Sequence, residues 1–162
     1  MQAGLAFIPL TGTGVISNLI GSRMAAIRGP RLPMVMGFFL ASIGCLLLTD
    51  INETTFYTHL IGGLAMIPLG LGLAIPPMTY ALLSTVPRER AGIASGVFNT
   101  VRQVGGAIGV AIFGSLVAGD MQQIVDGIHK IFFSCAILLV AGGIISFIGI
   151  QERAFFDELR EN

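Results

Sequence analysis

The segment from Pro68 to Gly114, PLGLGLAIPPMTYALLSTVPRERAGIASGVFNTVRQVGGAIGVAIFG, constrains this chain more than any other stretch. It reads as two long apolar helices joined by a tight charged turn, Pro87-Arg88-Glu89-Arg90. The first helix is interrupted by Pro76-Pro77, and the second carries Asn99, Arg102 and Gln103 among glycines. Lipid satisfies neither the carbonyls that prolines free nor a guanidinium, so such groups must face protein or a wet cavity. The simplest use of a wet, polar-lined break between apolar helices is to move a solute across a membrane.

Composition agrees with a membrane protein. Hydrophobic residues make up 54% of the chain and charged residues 11%, against about 25% charged in soluble domains, and mean hydropathy is +0.85. Formal net charge is zero, so there is no basic footprint for nucleic acid. The 22 glycines suit close approach of helix backbones in lipid. Cys45 and Cys135 both fall in apolar runs and read as packing residues rather than a disulfide framework. Met1–Leu19 lacks the basic start and small-residue cleavage site of a removable signal peptide.

A spanning helix needs about 20 mostly apolar residues, and that ruler marks five spans within residues 1–150, at about 4–20, 33–49, 57–86, 91–118 and 131–150. The expected fold is therefore all-α, a polytopic transmembrane helical bundle. The length of the third span, with Pro68 and Pro76-Pro77, predicts tilt or a kink. Arg23, Arg28 and Arg31 follow the first span, Arg88 and Arg90 the third, and Arg153 and Arg160 the fifth. The opposite loops hold Asp50, Glu53, Asp120 and Asp126, with Lys130 as their one base. Positive charge marks the cytoplasmic side, which places the N-terminus outside and the C-terminus inside. A chain that starts outside, directly in an apolar helix, reads as the back part of something longer. The tail at 151–162, QERAFFDELREN, spaces Phe155, Phe156 and Leu159 as a short interfacial helix would, or ends in disorder.

On the third span, Met66, Met78, Thr79 and Tyr80 surround the Pro76-Pro77 break. Prolines make a pivot and methionines an adaptable wall; equally, prolines are frequent in membrane helices and methionines fill gaps. On the fourth, Ser95, Asn99, Arg102 and Gly106 are spaced by four, three and four and share one face. Arg102 lies about 15 Å beyond Ala91, near mid-bilayer, where a charge costs at least about 2.5 kcal/mol. That suggests an anion-binding or helix-joining role, the alternative being a side chain that snorkels to the headgroups. Gly92 with Gly96, and Gly105 with Gly109, form small-xxx-small pairs for packing. Asn18 adds polarity to the first span. No Asp or Glu falls inside a span, and His59 and His129 sit at span ends.

The order LGLGLAIPP, VPRERAGIASG and NTVRQVGGAIGVAIFG resembles the second half of major facilitator superfamily transporters, most of all the fourteen-spanner drug:proton antiporters. QAGLAFIPL is similar to the start of the second helix of that half, and the Arg102-Gln103-x-Gly105-Gly106 region is the most specific part. Arg23, Arg28, Gly29 and Arg31 lie in a segment that resembles the family's cytoplasmic gating loop; Ala26 stands where that loop carries an aspartate. The resemblance implies the last five helices of a six-helix half, so an incomplete C-terminal half, with the third span lining the cavity.

The function expected is the C-terminal portion of a proton-coupled efflux transporter of drugs or small organic molecules in the cell membrane, most simply a bacterial inner membrane. Its partners are lipid, a small-molecule substrate, the remaining transporter helices or a partner chain, and protons taken up by the missing half. A second reading is a small membrane scaffold that assembles with a partner and transports nothing. An enzyme is not expected, since GxSG, HExxH and paired intramembrane aspartates are all missing from the sequence. No cofactor or metal is expected.

Overall fold

Five long helices follow one another: α1 (Gln2–Arg28), α2 (Arg31–Leu47), α3 (Tyr57–Ser84), α4 (Ala91–Leu116) and α5 (Met121–Gly149), with a 3-10 turn at Arg88–Arg90. The structure, a computed structural model, describes the backbone of residues 2–49, 57–117 and 121–150 and the side chains of 12–49, 61–117 and 124–150. The tail at 151–162, the acids Asp50, Glu53 and Asp120 and the side chain of His59 lie outside the described residues. Among the described residues the fold is all-helical.

The helices outrun the apolar stretches. α1 continues through Arg23 to Arg28, and α5 begins at Met121, ten residues before its apolar core. Backbone hydrogen bonds carry a helix beyond the hydrophobic run wherever no residue stops it. The segment expected to be a gating loop is consequently almost all helix. Arg23 and Arg28 belong to α1, Arg31 opens α2, and only Gly29 and Pro30 lie between. Gly29 takes φ 82°, the left-handed region open to glycine, and its N–H donates to the Ala25 carbonyl at 3.1 Å, a helix-ending bond. Pro33, fully buried, sits in the first turn of α2, where a missing N–H leaves no bond unmade. α3 remains one continuous helix across Pro68, Pro76 and Pro77.

α3 is the centre of the fold: it packs on both α1 and α2, while α1 and α2 touch each other little and α5 covers the other side of α2. Small residues make these contacts. A Cβ on Gly37 would stand 2.5 Å from the Gly70 carbonyl oxygen and 2.9 Å from the Ala74 Cβ. One on Gly70 would strike the Ala41 N–H nitrogen and the Gly37 carbonyl. One on Gly44 would come within 3.0 Å of Gly63, Met66 and Ile67 together. Gly37 and Gly44, like Gly63 and Gly70, are seven residues apart, two turns of helix, so each pair stays on one face of its helix. In lipid there is no hydrophobic gain from pressing helices together, so contact between backbones has to supply the packing. Between α2 and α5, the buried Ser42 hydroxyl donates to the Ala136 carbonyl at 3.2 Å.

Two helices among the described residues, over Ile61–Ser84 and Ile124–Gly149, are long and apolar enough to cross a membrane by length and composition; α2 is apolar but shorter. Large exposed side chains such as Ile93, Val110, Ile145 and Ile148, all 70–75% exposed, suit a surface turned to lipid or to further helices.

Gly70→Ala is expected to destabilise the folded chain by about 1–3 kcal/mol, the range for overpacking a tight contact, whereas Gly92→Ala, with nothing within 4 Å of its added methyl, leaves it unchanged. Unfolding in detergent followed by circular dichroism compares the two.

Candidate functional site

The proline break comes first, because it decides whether α3 presents a wet face. Without their N–H groups, Pro76 and Pro77 leave the carbonyls four residues earlier, on Gly72 and Leu73, outside the helix ladder. Both of those oxygens face α1 at Gly21, where a Cβ would lie 2.7 Å from the Leu73 oxygen and 3.1 Å from the Gly72 oxygen. The freed carbonyls therefore meet a glycine backbone, an arrangement open to weak Cα–H···O contacts. Pro77 is fully buried. One turn earlier, fully buried Ser17 donates to the Gly14 carbonyl at 3.0 Å and to the Pro68 carbonyl at 3.4 Å. Thr79 turns back onto its own helix, donating to the Ile75 carbonyl at 3.2 Å. Pro76 is half-buried, and Met78 and Tyr80 are exposed.

Beside this seam, α1 and α3 leave an open groove of about 530 Å³. Asn18 is its polar residue, set among Val15, Leu19, Pro68, Leu71 and Ile75. The fold thus brings Asn18 of the first helix beside Pro68 of the third.

α4 stands apart. It has no buried residue and packs only lightly on α3 and α5. Asn99, Arg102 and Gln103 are exposed, and Ser95 is partly so. Among the described residues none of these four side chains has a hydrogen bond or ion pair to another helix, and the Arg102 guanidinium lies 5.8 Å from the Phe98 ring one turn back on its own helix. A Cβ on Gly92, Gly96, Gly105 or Gly106 would meet nothing within 4 Å, and the same holds for Gly109. Any close packing these glycines provide is with something other than the described helices. The residues singled out on α3 and those on α4 are not joined by any hydrogen bond that involves the α4 side chains.

At the arginine-rich end of the molecule, Arg23 and Arg28 are exposed, and the Arg31 guanidinium rests 4.1 Å from the ring centroid of Phe147 near the end of α5. Gly21, Ser17, Ser42 and Phe147 were not candidates from sequence. The available signal was the seven-residue glycine spacing Gly14/Gly21, Gly37/Gly44 and Gly63/Gly70, which falls on the packed faces.

Apolar helices packed backbone to backbone through glycine, with prolines inside a continuous α3 at the α1–α3 seam and two helices long and apolar enough to cross a membrane, fit the class of helical membrane proteins. The family model for the Major Facilitator Superfamily matches residues 1–110, and the chain belongs to that superfamily. It is 36% identical over 120 residues to the puromycin resistance protein pur8 of Streptomyces alboniger, covering 72% of this chain and 24% of that protein. It is 33% identical over 124 residues to the multidrug resistance protein Stp of Mycobacterium tuberculosis, covering 76% of this chain and 23% of that one. Against the quinolone resistance protein NorB of Staphylococcus aureus it is 31% identical over 153 residues, 91% of this chain and 32% of the relative. The chain spans about a quarter to a third of the length of these relatives. No solved structure matches.

Gly21→Val is expected to force α1 from the freed carbonyls of Gly72 and Leu73 and to lower stability by about 1–3 kcal/mol. Combining it with Pro76→Ala and Pro77→Ala should recover part of that loss, because the restored N–H groups can bond those carbonyls within α3. Thermal unfolding of the single and triple variants in one detergent measures the recovery.

Proposed function

We propose that this chain forms the C-terminal part of a secondary transporter that exports drugs or small organic molecules, using proton coupling and alternating access. Its five helices span the cell membrane with the N-terminus outside and the C-terminus inside, an arrangement favoured by the arginines gathered at one end. Membership of the superfamily and relatives named for puromycin, multidrug and quinolone resistance support export. The observation that carries the reading is the polar face of α4. A helix bearing Ser95, Asn99, Arg102 and Gln103 with no hydrogen bond or ion pair to another helix among the described residues, Arg102 lying only near Phe98 of its own helix, needs protein or water opposite it in a bilayer. Alternating access supplies both, since a rocking half alternately meets the other half and an aqueous cavity.

In this reading Arg102 is the fixed charge of the cavity, Asn99 and Gln103 set its polarity, and the proline-rich α3 forms the adjoining wall with Met78, Thr79 and Tyr80. Glu89 lies in the α3–α4 turn, and Asp126 lies near the first turn of the apolar segment Ile124–Gly149. In this reading the carboxylate that binds and releases the coupling proton comes from the remaining transporter helices. Arg23 and Arg28 at the end of α1 and Arg31 at the start of α2 border the inner mouth.

In a full-length transporter carrying this chain as its C-terminal part, Arg102→Ala is expected to lower export about tenfold or more, the loss of a charged hydrogen bond. Arg102→Lys should retain part of it, and protein in the membrane should stay near the parental level. Efflux of a fluorescent drug from energised cells, normalised to immunoblot, reads both quantities. Unchanged export by Arg102→Ala would remove Arg102 from the transport path. A green fluorescent protein fused after Asn162 is expected to fluoresce and an alkaline phosphatase at the same place to be inactive; the opposite pair reverses the orientation.

A further inference from the structure

The Arg31–Phe147 contact is not accounted for by transport. Arg31 opens α2, and its guanidinium lies 4.1 Å from the Phe147 ring centroid on α5, so one face of the cation is covered by an aromatic face. Its Nε is buried and has no hydrogen-bond acceptor among the described residues. Buried donors in native proteins are nearly always satisfied. A cation held on a ring and short of an acceptor is poised for an anion reaching its open edge.

Three neighbouring features say what kind of anion. α2 begins at Pro30 without a side-chain cap, so the positive end of the helix lies at the same place. Arg28, exposed, adds a second cation two residues before Pro30. Beside this charge, Leu32 is 40% exposed, Phe147 56% and Ile148 73%. Charge at a helix end next to an open apolar wall matches an amphiphile lying at the membrane interface. An acidic peptide or a free ion would leave the wall uncovered.

We propose that the arginine-rich end of the α2–α5 pair binds an anionic phospholipid, with its phosphate on the Arg31 guanidinium and an acyl chain along Phe147 and Ile148. The site requires that the helices cross a bilayer but is independent of any transported substrate. Phe147 positions Arg31 by stacking, and Arg28 adds long-range attraction.

The whole chain, purified in a mild detergent, is titrated with dioleoylphosphatidylglycerol or dioleoylphosphatidylcholine, and bound lipid is counted by native mass spectrometry. Phosphatidylglycerol is expected to be retained over phosphatidylcholine. Arg31→Ala should cut that retention about fivefold, the contribution of one cation at an anionic surface, with phosphatidylcholine unchanged. Phe147→Leu, which keeps the apolar volume but loses the ring, should fall between. Equal retention of the two lipids, or no change in Arg31→Ala, overturns the proposal. So does displacement of the lipid by millimolar inorganic phosphate, which would make this a simple anion site. Circular dichroism checks that Arg31→Ala keeps its helicity. Should it unfold, the parental chain decides, because retention that does not fall as salt is raised contradicts a charge-held headgroup.

Discussion

Backbone-to-backbone contact along α3 is the constraint on which this fold depends. In water an α3 of this composition would be driven against its neighbours by the hydrophobic effect, but between lipid tails that force has no gradient to act on. What remains is dispersion, which decays within a fraction of an ångström of optimal contact. Gly37, Gly44, Gly63 and Gly70 remove the side chains that would hold α2 and α3 apart. Gly21 and Gly72 do the same between α1 and α3. Two polar pairs, Ser17 with Pro68 in the α1–α3 seam and Ser42 with Ala136 between α2 and α5, both use a backbone carbonyl as acceptor. Each ties a side chain to the neighbouring helix itself and fixes register without adding charge to the interior.

The same seam changes the meaning of the proline pair. Freed carbonyls in a membrane helix demand a partner, and water in a cavity is one answer. Here the Gly72 and Leu73 oxygens turn toward Gly21 instead, so the break is sealed on the α1 side by protein. Met78 and Tyr80, exposed just beyond it, belong to a different face of α3. One helix thus divides its labour: its glycines and buried Pro77 serve packing, and Met78 lies exposed on another face.

Much of the architecture was legible in the sequence. Long apolar runs separated by charged turns marked the helices, and the resemblance in NTVRQVGGAIGVAIFG pointed to the superfamily that the family model matches. Which glycines pack was not legible. Spacings of four made Gly92, Gly96, Gly105 and Gly109 look like contact residues, yet they face open space in this chain, while glycines spaced by seven carry the observed contacts. A four-residue pair identifies a helix face that is small, but only the partner helix decides whether that face is used. The arginines illustrate the same limit. The depth of Arg102 is readable from distance along a helix; Arg31 is readable as part of the charged segment between the first two spans, but its stacking on Phe147 is not, because it joins residues 116 positions apart.

The turn between α1 and α2 has a consequence for how the molecule is made. Only Gly29 and Pro30 separate the two helices, yet α3 packs on both of them. Until α3 has been synthesised, the glycine-bearing faces of α1 and α2 lack the partner they pack on in the fold. Assembly of this region is then a three-body event, timed by the arrival of the helix that comes last in sequence and lies in the middle in space.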